Sequence, residues 1–131
     1  MTSIYLFLLG RILLGGYFLN SGWAHFKNFK SMAGYARSMG VPAPELAVGG
    51  TGVLLAAGGL SILTGFWVQL GIASLIVFFL GVTFKMHAFW KIQDQQQMWM
   101  QRMLFMRNIA LTGAVLMLLS IPQPWAWSLM F

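Results

Sequence analysis

The chain has 131 residues, 59% of them hydrophobic and only 8% charged, with eight lysines and arginines against two acids and a formal net charge of +6. A soluble domain carries about 25% charged residues, so this composition excludes an ordinary water-facing surface and indicates an integral membrane protein, one domain over residues 1–131. The absence of cysteine excludes a disulfide framework, a thiol relay and a thiolate-held metal, and cations that flank apolar runs argue for topology signals and against nucleic acid.

The first apolar run covers residues 4–22, with Arg11 near its middle and Asn20 near its end. Met1-Thr2-Ser3 has no cation, the arginine interrupts the apolar stretch, and no small-residue cleavage site follows, so the run reads as a retained span. From Trp23 to Glu45 the chain is mixed. Apolar residues at Phe26, Phe29, Met32 or Ala33, and Ala36 recur near helical spacing and predict a short amphipathic helix along the interface, closed by Gly40-Val41-Pro42-Ala43-Pro44.

The second run, residues 46–63, places Gly49, Gly52, Ala56 and Gly59 in one stripe, the pattern of close helix–helix packing in lipid. Thr64-Gly65-Phe66-Trp67 predicts a tight turn. The third run, residues 68–87, puts Gly71, Ser74, Phe78, Gly81 and Lys85 on one face, which directs the stem of Lys85 toward the bundle. Lys91 to Gln101 reads as a polar loop. The fourth run, residues 103–121, opens with Arg107 and Asn108 and stops at Pro122 and Pro124.

Four spans put both termini on one side. Lys27, Lys30, Arg37, Lys85, Lys91, Arg102 and Arg107 then belong to the opposite side, so the positive-inside rule predicts cytoplasmic first and third loops and external termini. Trp23, Trp90 and Trp99 would mark the inner interface, and Trp67, Trp125 and Trp127 the outer one.

Ionisable and amide side chains inside a membrane are costly, so each is a candidate for function. Arg11 needs acceptors that neither Glu45 nor Asp94 is placed to supply. Backbone carbonyls, Asn20, a hydroxyl, a ligand or another subunit remain open. The topology also gathers His25, Lys85, His87, Arg107 and Asn108 at the inner rim, near Asn20 and Glu45. Such donors suit the two carbonyl acceptors of a quinone head group. A basic rim equally suits anionic lipid head groups, and axial haem ligation by the two histidines is the least favoured use.

Five motifs in order resemble the DoxX family of small four-helix bacterial inner-membrane proteins. They are Gly10-Arg11-Ile12-Leu13-Leu14-Gly15, Ser21-Gly22-Trp23-Ala24-His25-Phe26, the loop Gly34-Tyr35 to Ala47, Met86-His87-Ala88-Phe89-Trp90, and Phe105-Met106-Arg107-Asn108-Ile109-Ala110-Leu111-Thr112-Gly113. One feature departs from the pattern: many members carry an acid in the second span before a glycine pair such as Gly58-Gly59, and Thr51 to Ala57 contains none. The resemblance therefore leaves Arg11 without its family partner and directs it toward one outside the chain. It also implies association with redox complexes, because the family takes its name from a subunit of a thiosulfate:quinone oxidoreductase and other members are linked to thiol redox complexes.

The expected fold is all-α, an integral membrane four-helix bundle with a short amphipathic segment between spans 1 and 2. The expected function is a small, non-catalytic or quinone-contacting subunit of a redox-linked membrane assembly, in contact with other membrane subunits. The alternative is a structural or lipid-binding scaffold that docks larger proteins. No nucleophile–base pair or phosphate loop is visible to support a stand-alone enzyme.

Overall fold

The computed structural model describes residues 2–128. Five α-helices and one 3₁₀ turn follow in order: α1 (Thr2–Lys27), α2 (Phe29–Ser38), α3 (Pro44–Thr64), α4 (Val68–Met86), the 3₁₀ turn Phe89–Lys91, and α5 (Gln95–Leu119). The helices α1, α3, α4 and α5 are long and apolar enough to cross a membrane. Large apolar side chains such as Leu6, Leu13, Leu46, Leu70, Met103 and Met117 lie exposed on them and face the lipid.

Local chemistry sets the helix ends. Pro44 opens α3, where its missing N–H is no loss. Gly65 ends α3 in the left-handed region at φ 73°, its N–H donating to Ser61 O at 2.8 Å. The Asp94 carboxylate accepts from Gln97 N–H at 3.1 Å and caps α5. This cap overturns the predicted loop over Lys91–Gln101: Gln95 to Gln101 form the first turns of α5, because a capping aspartate lets a polar sequence enter a helix. α1 likewise runs past residue 22 to Lys27, and α5 ends at Leu119, before its prolines.

α1 packs on α3, α3 on α4, and α4 on α5. The α1–α3 seam is backbone on backbone. A Cβ built on Gly59 would lie 2.8 Å from Gly15 O, and one on Gly22 would lie 2.9 Å from Gly52 O. The small-residue stripe is therefore the contact face that its spacing predicts. On α4 the buried residues are Val68, Gly71, Ile72, Leu75, Phe79 and Thr83. Of the predicted face, Gly71 packs closely on Ser61 of α3, whereas Ser74, Phe78, Gly81 and Lys85 flank the buried seam.

The main core joins Phe18, Leu55, Ile62, Ile72, Leu75, Phe79, Val115 and Trp125. Trp125 is therefore not an interfacial marker like the exposed Trp67 and Trp127: it is buried, edge-on to Phe7 at 5.1 Å between ring centres. The predicted amphipathic helix exists as α2. It seats Ala33 and Ala36 against Val48 of α3, so it is packed on the bundle and covers one end of it.

Candidate functional site

Beneath α2 lies a cavity of about 840 Å³ with walls from all five helices. His25, Lys85, His87, Arg107 and Asn108 all line it, among apolar walls that include Phe18, Leu55, Phe78 and Phe79. Asn20 is exposed on α1 and does not line it, and Arg11 belongs to the other end of the bundle.

Each histidine is held by its Nδ1. In His25, Nδ1 lies 3.1 Å from both Val48 O and Thr51 Oγ1. A carbonyl can only accept, and the Thr51 hydroxyl proton is directed to Ala47 O at 2.7 Å. His25 Nδ1 is thus a protonated, donating nitrogen, and Nε2 is the ring nitrogen left for other contacts. In His87, Nδ1 donates to Gln101 Oε1 at 2.7 Å, an amide oriented by its own N–H toward Tyr35 Oη at 3.5 Å. Neither histidine is therefore free to donate to a ligand from Nδ1. The N–H donors that the cavity offers a ligand come from Lys85, Arg107 and Asn108.

Arg107 is only partly satisfied. It lies roughly 18 Å along α5 from Gln95, at about 1.5 Å per residue, and shares the cavity with His25, Lys85 and His87. Among the described residues its guanidinium reaches only the side chain of its neighbour: Nε and Nη2 both donate to Asn108 Oδ1, at 3.3 and 3.1 Å. Asn108 is buried, and among the described residues its Nδ2 amide has no partner. Lys85 also has none, and its Nζ lies across the mouth near Gly40.

No carboxylate lines this cavity among the described residues. Glu45 is paired with Arg37 on the exposed surface, and Asp94 is occupied at its cap. The cavity is thus apolar, cationic and rich in unused donors. It fits an apolar molecule bearing carbonyl or anionic oxygens.

At the opposite end Arg11 finds all its acceptors within the chain. Nε donates to Ile62 O and Nη2 to Leu63 O, each at 2.9 Å, while Nη1 reaches Ala126 O and Nη2 reaches Trp127 O. Phe7 and Trp125 present their rings at 5.6 and 5.4 Å. The buried charge ties the carboxyl end of α3 to the C-terminal tail, and no outside partner is required.

A family model for DoxX matches residues 6–88, from the second turn of α1 past His87 at the end of α4. The chain belongs to the DoxX family. In this DoxX-family protein the matched stretch contains Arg11, His25, Lys85 and His87, whereas Arg107 and Asn108 lie beyond it. Comparison with curated proteins gave no match, and neither did comparison with solved structures.

Among the cavity residues that the sequence does not single out are Tyr17, Tyr35 and Thr51. For Thr51 a signal existed, a hydroxyl within an apolar run where many family members carry an acid. The others look like ordinary span or interface residues.

Proposed function

We propose that this DoxX-family protein is a small, non-catalytic subunit of a redox-linked assembly in the bacterial inner membrane, and that its cavity receives the head group of a quinone. The observation that carries the reading is Arg107. An arginine halfway along a membrane helix, with one neighbouring amide as its acceptor, leaves N–H donors that lipid cannot satisfy. A quinone carbonyl supplies the missing acceptor, the Asn108 amide and Lys85 supply further donors, and the aromatic walls accept the ring. The Nε2 lone pairs of His25 and His87 are suited to a quinol hydroxyl, so one cavity serves both redox forms. The positive-inside rule favours an orientation with α2 and the 3₁₀ turn toward the cytoplasm.

The cationic rim also supports a second reading, a scaffold that holds anionic lipid. Titrating ubiquinone and cardiolipin against wild type, Arg107→Ala, Asn108→Ala and Lys85→Ala separates the two. Under the quinone reading, loss of one donor in a dry cavity costs about 1–3 kcal/mol, so Asn108→Ala and Arg107→Ala each weaken ubiquinone roughly tenfold to a hundredfold. Under the lipid reading Asn108→Ala is silent, while Lys85→Ala and Arg107→Ala lower cardiolipin binding in a salt-sensitive way. A wild type that binds no quinone, alone or with its co-purifying partners, leaves the scaffold.

A further inference from the structure

The bundle is not sealed on the side where α1 and α5 face each other. A groove of about 410 Å³ runs between them, lined by Gly10, Leu13, Leu14, Tyr17, Arg107 and Leu111. Tyr17 and Arg107 also line the main cavity, so the two spaces meet at these side chains. Apart from Arg107 and the Tyr17 hydroxyl, the groove wall is hydrocarbon. Gly10 and Leu13 are exposed on it, and a Cβ built on Gly10 meets nothing within 4 Å. The groove therefore opens sideways on the apolar flank of the bundle, beside Arg107, while α2 covers one end of the main cavity.

Resting on the quinone reading above, we infer that this groove is a lateral entrance from the bilayer and that the ligand is a long-tailed, membrane-dissolved quinone whose prenyl chain lies between α1 and α5. The chemistry on the two sides of Arg107 supports this occupant. Donors that need an acceptor face the cavity, and a hydrocarbon slot continues from the same residue into lipid. An amphipathic molecule with a polar ring and an apolar tail can satisfy both at once. A tail leaving by the α2 end would have to cross the cationic rim and emerge toward water.

Lipid and groove are both apolar, so the tail gains little from transfer, and its requirement for the groove is steric. A side chain that fills the slot blocks a tailed quinone but leaves room for a bare ring. Gly10→Phe does this without an initial clash. Leu13→Trp is the second blocking variant, and Leu6→Phe, exposed on α1 outside the groove, is the control.

The test uses the full-length protein in lipid nanodiscs, with ubiquinone-2 and the tail-less ring ubiquinone-0 as probes. Both blocking variants should lower affinity for ubiquinone-2 by about tenfold or more. Their affinity for ubiquinone-0 should change less than about twofold, and Leu6→Phe should alter neither. If both blocking variants bind ubiquinone-2 as the wild type does, the groove holds bilayer lipid or another chain, and the inference is overturned while the quinone reading stands. If the wild type binds neither probe, the quinone reading fails first.

Discussion

Arg11 and Arg107 show how one residue type can serve two purposes in one membrane protein. Arg11 is 2% exposed and reaches four backbone carbonyls, two at the end of α3 and two in the tail. Those α3 carbonyls have no partner within the helix, and a cation there also meets the negative end of the helix dipole. Arg107, by contrast, is exposed and holds only Asn108. The first is a structural clamp and the second carries unused binding capacity. Arg11→Met, which keeps the bulk but removes the donors, should lower stability by about 3 kcal/mol and release the tail. Arg11→Lys should recover only part of this, because an ammonium cannot fork across several carbonyls. Denaturation in mixed detergent micelles measures the first effect, and chymotrypsin cleavage near Trp125 the second. A tail that stays protected in Arg11→Met would mean that Trp125 packing alone holds it.

Among the elements, the α1–α3 pair is the rigid part of the bundle. Gly15 meets Gly59 and Gly22 meets Gly52, so two helix backbones touch along more than one turn. In lipid, where no hydrophobic drive joins helices, such contact supplies dispersion at short range. Gly59→Ala drives a methyl into Gly15 O and should lower the melting temperature in detergent, at a cost of about 1–3 kcal/mol. Gly16→Ala, one residue from the seam and with nothing within 4 Å, should be neutral or stabilising by up to about 1 kcal/mol. Equal effects from the two would show that the glycines are not the seat of packing. The α1–α5 pair is the opposite case. These helices flank a groove, which the proposed lateral entrance would use.

At the scale of the whole molecule the charges divide the protein. Seven of its eight lysines and arginines are carried by α2, by the segments around it and the 3₁₀ turn, or by the half of α5 nearest them, and Arg11 alone serves the opposite end. Because the native chain has no cysteine, single cysteines report sidedness without background. Cysteine at Gln96 should react with a membrane-impermeant maleimide only after the cytoplasmic face is opened. Cysteine at the exposed Gln123 should react in intact spheroplasts. The reverse labelling would contradict the orientation that the cations favour and would place the covered end of the cavity outside.

The residues alone were enough for the class, the number of spans, the α1–α3 contact stripe and the gathering of His25, Lys85, His87, Arg107 and Asn108. These follow from composition, from spacing near 3.6, and from the rule that consecutive spans alternate direction, all of which are local or one-dimensional properties. Three things needed the tertiary structure. Asp94 turned a polar loop into the start of α5, because its carboxylate caps the helix at Gln97 N–H, a contact that a run of glutamines does not announce. Trp125 looked interfacial but is core, because its neighbours Phe7 and Arg11 lie more than a hundred residues away in sequence. The partners of Arg11 are backbone carbonyls, and a carbonyl carries no sequence signature: every residue has one, and only the fold decides which of them face a buried charge.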